Sequence, residues 1–267
     1  MVSLANCAGL DLNLSHRLNR ALTTGKEDLY QVLGDPSMDV VRTALRNPVL
    51  DDNHLVTLLG RQDLSEEVLR AICRHDLFNG SHTLKVAAAR NPALPAGILT
   101  QLLPHLYLFE LAAICSLPGA TPDQKMAAER VIIQRLPTTP LGNKMTLARR
   151  GTAAIAEALM REGDSRLIEV CLGNPRLKEA SVHALLSGPN ASSETISMVA
   201  RHPRWKNRPN LQLAILRHPK TPGVWFTLHL PHLKIHDLKG LKAPQRLTPA
   251  QKTLVVGELK RRGYTIS

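Results

Sequence analysis

Slid by 127 residues without a gap, the chain falls on itself. Arg74-His75, Leu84 and Arg90-x-Pro92-x-x-Pro95 land on Arg201-His202, Leu211 and Arg217-x-Pro219-x-x-Pro222. Farther on, Leu103-Pro104-His105-Leu106 lands on Leu230-Pro231-His232-Leu233, and Thr121-Pro122-x-Gln124-Lys125 on Thr248-Pro249-x-Gln251-Lys252. Across 41–136 against 168–263, 26 of 96 aligned positions are identical. Such an echo reads as an old tandem duplication, so both halves must adopt the same kind of fold. Each half then serves as a control for the other, and they differ most in charge.

Within each half a smaller unit recurs. Asn47-Pro48, Asn91-Pro92 and Asn174-Pro175 each close an apolar stretch and lead to a leucine-rich one: Leu55, Leu58 and Leu59; Ile98, Leu99, Leu102 and Leu103; Val182, Leu185 and Leu186. Degenerate versions end at His202-Pro203 and His218-Pro219. The apolar spacing of three and four predicts short helices. Asn before Pro should stop each one, because Asn tolerates the left-handed conformation and proline cannot continue the hydrogen-bond ladder. Ser65 ahead of Glu66-Glu67, Thr121-Pro122 and Thr248-Pro249 read as helix starts, with a hydroxyl cap and proline at the first helical position. No segment alternates with period two, so strands are not expected.

About fifteen helices of roughly 8–14 residues follow from this pattern. Helices that short must bury a face on their neighbours. Repeated units of one type stack into a continuous core. The expected fold class is therefore all-α: an α-solenoid of short helical repeats, with a lead-in over 1–14, a first half over 15–141 and a second over 142–267. The helix-stop motif followed by Leu-x-x-Leu-Leu resembles the leucine-rich repeat variant family and, more broadly, HEAT-like repeats. That resemblance covers most of 29–263 and implies a right-handed superhelix with a concave face. Some leucine-rich repeat variant proteins carry an iron–sulfur cluster on an N-terminal cysteine group, which this chain lacks.

Charge separates the halves. Residues 15–141 hold 13 Lys and Arg against 13 Asp and Glu, whereas 142–267 hold 21 against 8. A basic half points to a polyanionic partner: nucleic acid, an acidic protein face or an anionic membrane surface. The strongest candidate site is Arg201, His202, Arg204, Trp205, Lys206 and Arg208. In the first half Leu77, Phe78, Asn79 and Ser81 stand where Arg204, Trp205, Lys206 and Arg208 stand here. Cations around an aromatic could hold phosphates and stack on a base. Alternatively, Trp205 plugs a space between helices, as Phe78 would. Arg217, Lys234, Lys239 and Lys242 extend the candidate surface. The same gain, including Lys220, Lys260 and Arg261, also suits an end-cap, since a terminal repeat needs a polar outer side.

Other classes find little support. There is no Gly-rich phosphate loop, HExxH or Gly-x-Ser-x-Gly, so catalysis and a cofactor are not expected. HEAT-like DNA glycosylases act on damaged DNA, but no catalytic signature of theirs maps onto this chain. His229, His232 and His236 are interrupted by Pro231, and Cys7, Cys73, Cys115 and Cys171 are scattered, so no metal site is expected. No run of about 18 apolar residues exists to span a membrane. The opening Met-Val-Ser-Leu-Ala-Asn-Cys lacks a signal-peptide pattern, which leaves a cytoplasmic location as the expectation. The leading functional reading is a non-enzymatic scaffold that binds a protein on its concave surface. A nucleic-acid-binding solenoid using the basic half is second.

Overall fold

A computed structural model describes residues 4–188, 191–241 and 247–264, with side chains from Asn13 onward. It divides into two compact units, Met1–Ile132 and Ile133–Ser267. The first contains α1 (Leu4–Thr23), α2 (Lys26–Leu33), α3 (Met38–Ala44), α4 (Asp52–Leu59), α5 (Glu66–Arg74), α6 (Asp76–Gly80), α7 (His82–Arg90), α8 (Ala96–Leu102), α9 (Leu108–Cys115) and most of α10 (Pro122–Arg135). The second contains α11 (Leu141–Arg150), α12 (Ala153–Arg161), α13 (Ser165–Leu172), α14 (Glu179–Ser187), α15 (Ser193–Arg201), α16 (Pro209–Arg217), α17 (Gly223–His229), α18 (Ile235–Gly240) and α19 (Pro249–Arg261). No strand occurs among the described residues, so the protein is all-α. The helices outnumber the expected fifteen because several, α3, α6, α8, α17 and α18, have seven residues or fewer and are too short to show a period.

Each helix buries one stripe. In α12 it is Ile155, Ala156, Leu159 and Met160, and in α13 Leu167, Ile168, Cys171 and Leu172, the spacing of a single helical face. Within each unit, helices pack on first and second neighbours: α1 on α3, α2 on α3 and α4 in the first, where α4 also reaches α7 across the short α6, and α11 on α12 and α13, α13 on α15, α12 on α14 and α14 on α16 in the second.

Expected starts and stops form, with one correction. Ser65 accepts from Val68 N–H, while Thr121 and Thr248 accept from Gln124 and Gln251 N–H. Asn91, however, sits at φ −73°, ψ 124°, extended rather than left-handed. The following proline disfavours helical backbone there, and the side chain has work elsewhere. Asn91 is buried; its Nδ2 donates to Leu59 O (2.8 Å) and Arg61 O (2.7 Å), and Ala93 N–H donates to its Oδ1 (2.9 Å). Asn47 does the same with Ala21 O, Thr24 O and Val49 N–H, and Asn174 with Ala148 O, Gly151 O and Arg176 N–H. Helix C-termini carry carbonyls without intrahelical partners. Here the amide of a later turn satisfies those of an earlier helix end.

The two glutamines at the echoing Thr-Pro-x-Gln motif serve the same end. Gln124 Nε2 donates to Asn91 O (2.6 Å) and Ala89 O, and Gln251 Nε2 to Pro219 O and Thr221 O, both 2.9 Å. His105 and His232 are exposed and make no side-chain hydrogen bond among the described residues. The 3-10 turns Leu103–His105 and Leu230–His232 place their rings outward.

The start of α4 makes one part of the fold sensitive to acid. Asp51 Oδ1 accepts from His54 N–H (3.1 Å), Lys26 Nζ lies 2.7 Å from Oδ2, and the buried His54 ring reaches Lys26 O through Nε2 (2.9 Å). The Lys26 ammonium, then the His54 amide, hold the Asp51 carboxyl down at about 2. A carboxyl depressed on folding stabilises the native state above its unfolded pKa of about 4, and that stability is lost as pH falls through the folded value. Urea midpoints measured between about pH 4 and pH 2 should therefore fall less steeply in Asp51→Asn than in wild type. Equal slopes would show that the pair contributes nothing.

Candidate binding surface of the second unit

The proposed aromatic-and-arginine patch is folded inward at its centre. Trp205 follows α15 and is only 2% exposed, with Nε1 donating to Leu172 O at 2.9 Å. It has no face free for a base, and fills the place that buried Phe78 fills 127 residues earlier. Arg204 lies over the indole at 4.3 Å. Its Nη1 donates to Asn174 O (2.6 Å) and its Nη2 to Leu177 O (2.8 Å) and Pro175 O (3.3 Å). A guanidinium has five donors in a fixed fork, and this fork is engaged with a preceding turn.

His202 and His218 are part of the turns as well. Their Nδ1 atoms accept from Arg204 N–H (3.2 Å) and Lys220 N–H (3.1 Å), replacing the Oδ1 of the Asn-Pro turns. Burial, then the neighbouring cation, lowers the pKa of both, which favours the neutral ring that this acceptor role needs. Arg201 donates to Ser197 O within its own helix (3.2 Å). Lys206 and Lys234 project into solvent, and Lys239 lies over the Tyr264 ring at 4.7 Å. Lys242 lies outside the described residues.

One of the candidates, Arg217, lines a cleft that sequence reasoning missed, and Arg208 lies beside its far end. Helices α14 and α16 lie side by side, and between them opens a space of about 850 Å³. Its walls are Ala180, His183 and Leu186 from α14, and Leu213, Ala214 and Arg217 from α16. At one end Glu179 accepts from Asn210 Nδ2 (3.4 Å), with Arg208 Nη1 3.8 Å away. At the other, Arg217 is exposed and makes no hydrogen bond or ion pair among the described residues. The small side chains Ala180 and Ala214 leave the room. In sequence they read as ordinary helix-filling alanines, and only the pairing of the helices turns them into an opening.

The cleft therefore presents a carboxylate at one end, a guanidinium at the other and apolar walls between. His183 Nδ1 lies 3.5 Å from Ser187 Oγ, one turn along α14. No carboxylate bonds the far nitrogen of that ring among the described residues, so the pair lacks the orienting third group of a hydrolytic triad. The thiols offer little reactivity: burial pushes Cys171 up to about 12, aided by Glu162, and Cys73 up to about 11. Among the described residues no three His, Cys, Asp or Glu side chains gather to hold a metal ion. No helix there is long and apolar enough to cross a membrane. Comparison of the chain with family models, curated proteins and solved structures finds no match.

Proposed function

We propose that the chain is a non-enzymatic helical-repeat scaffold, a tandemly duplicated α-solenoid of the leucine-rich-repeat-variant or HEAT-like kind, that binds a segment of a partner protein. The observation that carries this reading is the α14–α16 cleft, about 850 Å³, with Glu179 and Arg217 at opposite ends of apolar walls. Polar groups that fix orientation around an apolar recess suit a peptide better than a phosphate backbone. The burial of Trp205 and the engagement of Arg204 favour protein over nucleic acid. The free thiols Cys73 and Cys171 suit a reducing compartment such as the cytoplasm.

Peptide-display selection on the whole chain tests the proposal. Enriched peptides are expected to share a motif, and their affinity should fall roughly tenfold or more in Arg217→Ala and in Ala214→Leu, which narrows the cleft. Thermal melts of both variants should match wild type. Fluorescence anisotropy with duplex DNA, single-stranded DNA and RNA at low salt provides the opposing measurement. Tight nucleic-acid binding with a steep loss on adding salt, and no cleft-dependent peptide, would overturn the proposal.

A further inference from the structure

After Glu194 the chain becomes almost free of acid. Residues 195–267 contain 14 Lys and Arg and only two carboxylate side chains, Asp237 and Glu258. Glu258 is buried and clamped by Arg261 (2.9 Å) and Arg262 (2.8 Å). Lys220, Lys252 and Lys260 are exposed and make no ion pair among the described residues. An end-cap that needs only solubility explains such cations. It does not explain what lies between them.

Helix α17 is apolar on both sides. Phe226 faces inward and is fully buried, while Val224 and Leu228, one turn apart, are 56% and 52% exposed. Leu254, on the adjoining α19, is 38% exposed, and on the same helix face Ala250 and Gly257 are exposed too. Leu254 Cδ1 lies 3.8 Å from where a side chain on Gly223 would begin, so this face of α19 abuts the start of α17. The corresponding first-half residues are Gly97, Gln101 and Ala127. The second half thus holds three branched apolar side chains where the first has small or polar ones. Large apolar side chains left exposed on two helices that pack together mark an interaction site.

We propose that the outward face of α17 and α19 docks an acidic amphipathic helix of a partner protein. A helix with apolar side chains at i, i+3 and i+4 matches a surface made of Val224, Leu228 and Leu254. Asp and Glu on its flanks would meet Lys220 and Lys260. Charge complementarity of this kind speeds encounter and selects partners. A second copy of the chain would bring two cationic rims together and is disfavoured for that reason. A nucleic acid would place phosphates over leucine and valine.

The site is separate from the α14–α16 cleft, and the variants keep the two apart. A displayed library of helical peptides, with Glu fixed on both flanks and apolar positions randomised, is selected on the full chain. Binding of the enriched peptides is then read by anisotropy on wild type and on the double variant Leu228→Gln/Leu254→Ala. Those replacements are the residues already present at Gln101 and Ala127, so the melting temperature should hold. The expected result is a roughly tenfold or greater loss of affinity in the double variant, a partial loss with added salt, and no change in Arg217→Ala. The proposal is overturned if no acidic amphipathic peptide is enriched, or if binding is indifferent to the double variant. It is equally overturned if phosphatidylglycerol vesicles bind through these residues while no peptide does, or if sedimentation shows a dimer that the double variant dissociates.

Discussion

Trp205→Ala is expected to destabilise the second unit by about 3–5 kcal/mol, the usual cost of removing a large buried aromatic. The indole is 2% exposed, and its N–H satisfies Leu172 O at a helix end. Truncation leaves a cavity, an unpaired carbonyl, and Arg204 without the ring it covers. Trp205→Phe gives the informative contrast. Phe78 fills the matching position without a hydrogen bond, so the phenyl should pack, and the loss should be nearer to about 1–2 kcal/mol, mainly from the unsatisfied carbonyl. Urea unfolding followed by far-UV circular dichroism gives both values. In a Trp225→Phe background, which leaves Trp205 as the sole indole, acrylamide should quench the native state poorly. A cost below about 1 kcal/mol for the alanine variant, or ready quenching, would mean that the ring is not a core residue.

Asn174→Ala should be nearly as damaging, at about 2–4 kcal/mol, although it removes no apolar surface. Its amide meets Ala148 O and Gly151 O, and its Oδ1 takes Arg176 N–H. Three backbone groups lose their partner at once, and a buried unsatisfied group costs about 1–3 kcal/mol. Asn174→Asp sharpens the test. A carboxylate would face two carbonyl oxygens with no proton to donate, so at neutral pH it should be worse than alanine. Folding would raise that carboxyl's pKa, so stability should recover as pH falls through the raised folded value and be fully restored by the unfolded value of about 4, where the protonated form can donate. A pH-independent gap between the Asp and Ala variants would sink the bridging role.

The local features were readable because they depend on near neighbours. Thr121 and Thr248 cap helices as their Thr-Pro dipeptides suggest, and Trp205 is legible as a plug from the buried aromatic in register with it. The asparagines were half legible. Their place at helix stops was visible, but not that proline plus two distant carbonyls would hold Asn91 extended and buried. The charges were misleading for a related reason. Arg204 reaches back across some 30 residues of chain to Asn174 O, and nothing in its local sequence distinguishes that from a solvated arginine. The cleft was invisible because it is a gap left by two alanines on different helices. The α17–α19 face is written in the internal echo as hydropathy rather than charge, with Val224, Leu228 and Leu254 standing opposite Gly97, Gln101 and Ala127.

The stitching of helix ends limits how such a chain can change its length. Each amide or indole finds carbonyls between 23 and 35 residues behind it. Insert one residue in an intervening helix, and everything beyond it turns by about 100° and advances by about 1.5 Å. Asn174 would then no longer meet Ala148 and Gly151, and the mismatch would cost as much as deleting the asparagine. Gaining or losing a whole helical layer together with its closing amide leaves each remaining link the same span. Length in this architecture is therefore free to vary in steps of a complete layer, while single-residue insertions are confined to loops that lie outside the linked turns.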